Sequence, residues 1–342
     1  MRGILFALAL MAGVVAPAIS PSSAYADSPT TGLGIRLIDA PVATGDNPRA
    51  RVYIIDHLRS GQVINRRVQI ANNTNDTLQI AVYPAAATLA GGSFVGAAGR
   101  GSNDLSQWTS ATPGTLRLKA HEKAFVRVKI QVPLRTEPGE RYGVVWAQTT
   151  SKPAKGGVTQ TSRVGIRVYL SVGTGEAPKS DFTIVSMAPG RNPDHLPTVT
   201  AVVRNTGGRA LDLSGSLSLS DGPAGLSGGP FPAKLGTTLA IGDTEPVLIT
   251  LDDQLPAGPW TAKLTLKSGV TSRTAQAILT FPSTVGQSPA VPADHFTVTW
   301  WMIMVAIAGA LLLSLLILMA QLIRRSRTRV TGSAPTPEPP TP

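Results

Sequence analysis

Cysteine is absent from all 342 residues. Its absence excludes disulfides, thiol chemistry and the lipobox needed for lipid attachment. Small exterior domains in disulfide-forming compartments usually carry such staples, so a bacterial exterior fits this chain better than an animal cell surface. Histidine is also scarce: His57, His121, His195 and His295 are scattered, with no paired spacing. There is no H-E-x-x-H, no G-x-S-x-G elbow, no P-loop, and no Ser three residues before a Lys. Asp56-His57 and Asp252-Asp253 are the only suggestive neighbours; the first reads as a strand end and the second as a solvated turn or edge. No catalytic residue, metal site or cofactor is expected, and no nucleic-acid partner. Helical spacing is missing as well, outside two apolar runs near the chain ends.

Those two runs give the topology. Met1 to about Ala26 has a basic Arg2, an apolar stretch from Ile4 to Val15 and an Ala24-Tyr25-Ala26 cleavage site, which is the pattern of a secretory signal. Trp300 to Ile323 carries no charge. At about 1.5 Å per residue it is long enough to cross a hydrocarbon core of about 30 Å. Trp300 and Trp301 mark its outer edge, and Arg324, Arg325, Arg327 and Arg329 follow it. The positive-inside rule places that basic flank in the cytoplasm. The expected localisation is therefore the cell membrane, single-pass type I, with residues 27–299 outside and a short Pro-rich cytoplasmic tail at 324–342.

Charge is unevenly divided. The chain carries +11 overall. Residues 27–178 hold 18 basic against 10 acidic side chains, a net of +8, whereas residues 179–299 hold 8 against 9. A basic distal half suits an anionic partner such as a wall glycopolymer, a phosphate-rich polymer or an acidic protein; solubility and Arg-rich codon usage account for it equally well. Arginine exceeds lysine, 22 to 9, which with abundant Ala, Gly and Pro gives a composition of actinobacterial type.

The exterior part alternates apolar and polar residues repeatedly. In FVRVKIQV, Val126, Val128, Ile130 and Val132 share one face, leaving Arg127 and Lys129 on the other. RVGIRVYLSV sets Val164, Ile166, Val168, Leu170 and Val172 inward, and TLRLK alternates Leu116 and Leu118 with Arg117 and Lys119. Short alternating strands with frequent turn signals predict an all-β chain. About 270 exterior residues suit two domains. The reading is two tandem immunoglobulin-like β-sandwich domains, 27–178 and 179–281, then a Pro/Ser-rich stalk at 282–299 and one transmembrane α-helix at 300–323.

One device occurs in both halves. RRVQIANNTNDTLQIAVYP matches PTVTAVVRNTGGRALDL as strand, polar turn, strand, and Leu118-Lys119-Ala120 matches Leu239-Ala240-Ile241-Gly242. Each half then turns through Pro-Gly, at Pro138-Gly139 and at Pro256-Ala257-Gly258, into a strand whose aromatic, Tyr142 or Trp260, is expected to cap the core. The domain boundary is placed near residues 173–178. A Gly-rich insertion, residues 90–112, carries Phe94, Arg100 and Trp108; Trp108 either belongs to a binding element or plugs one end of the sandwich. Two sequons, Asn72-Asn73-Thr74 and Asn75-Asp76-Thr77, read as turn residues in a bacterial chain.

GQVINRRVQIANNTNDTLQIAVYPAAATLAGGSF, WTSATPGTLRLKAHEKAFVRVKIQVP and PGERYGVVWA together resemble the DUF916 family, the peptidoglycan-binding domain of WxL-interacting proteins. The resemblance covers about Ile35 to Val172. It implies a non-catalytic cell-surface protein attached near peptidoglycan, with a second domain in the place of the family's protein-binding one. The expected function is binding of cell-wall polymer, peptidoglycan or anionic glycopolymer, through the basic distal domain. The candidate residues are Arg100, Arg117, Lys119, Arg127, Lys129, Arg163 and Arg167, with Tyr169 and Trp108 stacking on sugar rings. The alternative is a scaffold or adaptor that docks another exported protein by sandwich edges or loops.

Overall fold

In the computed structural model of this protein, residues 32–40, 47–151, 157–233 and 236–295 are described. The expected signal sequence at residues 1–26, the expected span at 300–323 and the basic tail lie outside them. Among the described residues no helix is long and apolar enough to cross a membrane. The chain divides into two compact units: one ends at Glu176, the other begins at Ala177, and Leu89–Val95 group with the second. Both units are immunoglobulin-like β-sandwiches.

In the first unit, β1 (Leu33–Leu37), β3 (Val63–Asn72), β8 (Lys123–Gln131) and β6 (Thr109–Thr112) form a four-stranded sheet in the order β1-β3-β8-β6. The facing sheet runs β2 (Ile54–Leu58), β10 (Thr161–Val172), β9 (Gly139–Thr150), β4 (Leu78–Ala90), β5 (Ser93–Gly96), with β7 (Thr115–Leu118) also pairing with β4. Alternation decides which side chains meet between the sheets. Val126, Val128 and Ile130 of β8 and Ile166, Val168 and Leu170 of β10 are all buried in one apolar cluster. One pair departs from the antiparallel expectation: β2 runs parallel to β10, Ile54 opposite Val168. The chain leaves β1 in one sheet and enters β2 in the other, so it arrives beside β10 in the same direction.

The second unit repeats the plan. β17 (Thr244–Thr250), β12 (Pro197–Asn205) and β11 (Phe182–Arg191) form one sheet; β15 (Gly228–Pro232), β14 (Ser214–Ser220), β18 (Trp260–Ser268) and β19 (Thr271–Leu279) form the other, with β13 (Leu211–Asp212) and β16 (Thr238–Leu239) paired beside them. The segment expected to be a stalk is in part built into this unit. β20 (Gly286–Gln287) and β21 (Val291–Pro292) pair with β11, and β22 (Asp294–His295) pairs with β19. Val291 and Ala293 pack against the core, and this apolar contact holds an otherwise Pro-rich segment to the sheets.

The repeated turn rests on a buried asparagine. Asn72 Nδ2 donates to the carbonyls of Asp76, Leu118 and Lys119 at 2.7, 3.2 and 2.8 Å. Asn205 Nδ2 donates to those of Arg209, Leu239 and Ala240 at 2.8, 3.4 and 3.0 Å. Each side-chain oxygen accepts the N–H two residues on, from Thr74 and Gly207. Each backbone N–H reaches the same point of the facing turn, Glu122 O and Asp243 O. The polar groups of two turns are thus satisfied by one side chain, as buried polar groups must be.

The Pro-Gly corner holds only partly. Gly139 and Gly258 both have positive φ, 143° and 118°, a region open to residues without a Cβ. Trp260 caps its core as expected, 1% exposed, with Nε1 donating to Pro256 O at 2.9 Å. Tyr142 does not: it lies on the outer side of its sheet, half-buried, with its hydroxyl 2.9 Å from Glu140. Tyr142 is three residues beyond Gly139 and Trp260 two beyond Gly258, and that single step reverses the face.

Asn72→Ala and Asn205→Ala each strip three carbonyls of their donor, which we expect to destabilise the affected unit by about 2–3 kcal/mol. Hydrogen exchange during urea titration checks this: Asn72→Ala should lower protection in β3 and β8 and leave β12 and β17 unchanged, and Asn205→Ala the reverse.

Candidate functional site

The outer face of the four-stranded sheet carries a cluster of cations, Arg36, Arg67, Arg127 and Lys129. Cross-strand register sets its rows: Arg36–Gln69–Phe125, Arg67–Arg127–Thr112 and Asn65–Lys129–Ser110. These side chains point outward because their neighbours Val68, Val126 and Val128 point in. A shallow groove of ≈ 520 Å³ lies between Arg67, Arg127, Lys129, Phe125, Asn65 and Ser110. A second, of ≈ 440 Å³, adjoins it through Ser110 and Lys129 and reaches Trp108, Gln107 and Gln131. Among the described residues neither groove is lined by a carboxylate.

The cations differ in how they are held. Arg67 is tied to Asp39, Nη2 to Oδ1 at 2.7 Å and Nε to Oδ2 at 3.0 Å, and Arg36 Nε donates to Gln69 at 3.0 Å. The Arg127 and Lys129 side chains make no hydrogen bond or ion pair among the described residues. Phe125 is 56% exposed. The Arg67 hydrogen bond holds the Asp39 carboxyl below its ordinary value, against the opposing effect of desolvation.

The insertion supplies the groove's far wall. Asn103 opens helix α1 (Asp104–Trp108) with a capping box: its side chain accepts from Ser106 N–H, and Ser106 Oγ accepts from Asn103 N–H. Leu105 is buried, and Thr109 Oγ1 donates back to Leu105 O at 2.6 Å. The helix therefore ends directly in β6, which pairs with β8 and brings Ser110 opposite Lys129. Trp108 packs against the core, under the Arg141 guanidinium at 5.0 Å, as the plug reading expects, and it also lines the second groove.

The other candidate residues lie elsewhere. Arg163, Arg167 and Tyr169 are on the outer side of the opposite sheet. There Arg163 covers the Trp146 ring at 4.4 Å, Arg167 the Tyr53 ring at 5.2 Å, and Arg100, from the insertion, the Tyr83 ring at 4.4 Å. Gly165 makes this possible, since a Cβ there would meet Trp146 Cε3 at 2.5 Å. Tyr169 is not a sugar platform: it is 1% exposed, beneath Arg49 at 4.9 Å and against Tyr53 and Tyr142. Arg117 and Lys119 are exposed on and just after β7, away from the groove lining. Reasoning on alternation found Arg127 and Lys129 but missed Arg67, Phe125 and Asn65, although the same alternation in VINRRVQIAN and FVRVKIQV marks them as outward.

No catalytic arrangement forms at the suggestive pairs. Asp56 faces Arg66 at 2.5 Å between the sheets, while His57 points to the other side and meets Ser171 Oγ through Nδ1 at 3.1 Å. Asp252 sits in the exposed turn after β17, where the Gln254 N–H it accepts lowers its pKa. Among the described residues no three His, Asp or Glu side chains come together as a metal site. Asn72, fully buried, cannot serve as a glycan acceptor; Asn75 is exposed and bonds His121 at 3.0 Å.

The chain matches no protein-family model and none of the curated proteins. Among solved structures it is similar to the YadV chaperone, at 13% identity over 72% of this chain and 99% of that one, TM-score 0.36. Others are the CupB2 chaperone of Pseudomonas aeruginosa, at 11% over 66% and 97%, TM-score 0.34, and a chain of the Salmonella enterica SafA pilin–SafB chaperone complex, at 10% over 72% and 96%, TM-score 0.39.

The Asp39 shift carries a sign. A depressed carboxyl adds stability that is full above its ordinary value of 3.8 and is lost as pH falls through the lower folded value. Arg67→Gln should return the Asp39 titration towards 3.8, which carboxyl NMR reads directly.

Proposed function

We propose that this protein is a non-catalytic cell-surface binding protein that holds cell-wall polymer on the outer face of the β1-β3-β8-β6 sheet. The supporting observation is Arg127 and Lys129, side by side beside an exposed ring, with no ion pair and no carboxylate in the groove lining among the described residues. Folding does not use these charges, and a face of one sign attracts the opposite sign. The signal sequence and the uncharged 300–323 run support anchoring at the membrane with both sandwiches outside, and the resemblance to the DUF916 family points to the same surroundings. The second unit, near neutral, is a spacer or a dock for a partner.

A second reading is favoured by one feature of the same sheet. It ends at β6, a four-residue strand that among the described residues pairs with β8 alone. An exported protein could add a strand there, and the chain would then be an adaptor.

The purified full chain should co-sediment with wall sacculi at low salt and be released at high salt, as screening requires. Arg127→Gln/Lys129→Gln should weaken retention about tenfold, about 1.4 kcal/mol. Retention by the double variant equal to that of the wild type would overturn the wall-binding reading. Recovery of one stoichiometric protein from membrane extract, lost on disrupting β6, would favour the adaptor.

A further inference from the structure

The groove has a chemical bias beyond its charge. Arg67 and Arg127 are direct cross-strand partners. Such Cβ atoms stand about 5 Å apart, and like charges so placed destabilise a sheet. Asp39 relieves the Arg67 side only. Lys129 lies two residues along the same face, about 7 Å on. Three cations thus converge on one strip, and the polar groups between them, Asn65, Ser110 and Thr112, are neutral hydrogen-bonders. Phe125 stands exposed at one end of the strip and Trp108 at the other. Along β8 the distance from Phe125 to Gln131 is about 20 Å, so the ligand is an extended segment and not a single small ion.

We infer that the occupant is a phosphodiester-linked glycopolymer. This rests on the wall-binding reading and specifies its ligand. A phosphodiester presents two non-bridging oxygens that the planar Arg127 guanidinium can take in a fork, while Lys129 serves as a mobile point charge. One phosphate between Arg127 and Arg67 removes the repulsion the sheet otherwise bears. Sugar or polyol units on either side meet Asn65, Ser110 and Thr112 by hydrogen bonds and Phe125 and Trp108 by their apolar faces. A neutral amino-sugar chain would leave Arg127 and Lys129 without a counter-charge and could use only the hydrogen-bonding side chains of the lining, Asn65, Ser110 and Thr112 in one groove and Gln107 and Gln131 in the other.

The test measures binding of the full chain to three immobilised probes: a poly(glycerol phosphate) oligomer, polygalacturonate as a carboxylate polyanion, and chitohexaose as a neutral chain. Poly(glycerol phosphate) should bind at least tenfold more tightly than either other probe. Arg127→Lys, which keeps the charge but loses the fork, should cost several-fold, and Arg127→Gln/Lys129→Gln at least tenfold. Arg204→Ala, exposed in the second unit, should leave binding unchanged and thereby exclude a general charge effect. Equal binding to polygalacturonate, or an Arg127→Lys variant that binds like the wild type, overturns the phosphodiester assignment. Retention on sacculi stripped of phosphate polymers by hydrofluoric acid overturns it too, while leaving wall binding intact. Failure to bind both intact sacculi and all three probes overturns both readings together.

Discussion

A buried asparagine where the chain turns between strands is the constraint on which each sandwich depends. At the ends of these strands the ladder stops, and carbonyls from two turns come together away from water. An unpaired buried carbonyl costs about as much as a lost hydrogen bond. Asn72 and Asn205 remove that cost with one amide each, donating to three carbonyls and accepting one N–H. No other uncharged side chain of that length has both a donor pair and an acceptor. Because the amide joins the β3–β4 turn to the turn before β8, it fixes the register of β8 against β3. The outward rows of the groove follow from that register.

Arginine is used in two ways on the two faces of the first unit. On the six-stranded side the guanidiniums lie over rings, Arg163 on Trp146, Arg100 on Tyr83 and Arg167 on Tyr53. Such stacking is worth about 0.5–1 kcal/mol at exposed sites and covers aromatic surface that would otherwise face water. These arginines have a structural reason to be where they are. On the four-stranded side Arg127 and Lys129 stack on no ring and pair with no carboxylate among the described residues, although Phe125 stands exposed beside them. A count of net charge cannot separate these uses, because both contribute equally to it. The distinction comes from what each cation touches.

Much of the fold was legible because β-structure with one face buried writes itself as alternation. Val126, Val128, Ile130, Ile166, Val168 and Leu170 were assigned inward from spacing alone and are buried. The paired turn segments were legible too, since Asn72 and Asn205 stand at the same place in two similar strings. What could not be read depended on contacts distant in sequence. Tyr169 alternates like an outward residue, and it is outward of its sheet, but the segment around Arg49 and Tyr53 covers it. Tyr142 was misassigned because the interval from corner to aromatic differs by one residue between the units. Residues 286–295 look like a linker by composition, and only pairing with β11 and β19 shows their place.

The candidate site was half legible for the same reason. Lys129 and Arg127 could be placed on a face, but a face becomes a groove only when something stands beside it. That wall is β6, and β6 comes from a Gly-rich insertion whose composition gives no strand signal. Its position is set by the capping box at Asn103, the burial of Leu105 and the back-bond from Thr109, which together bring the chain out of a single helical turn directly alongside β8. The same five-residue helix places Trp108 at the groove's end. The insertion is therefore held by the core it packs on, and what it presents outward is left free of structural duty. A surface built this way can change its outward side chains at Ser110 and Thr112 without disturbing the residues, Leu105 and Thr109, that keep it in place.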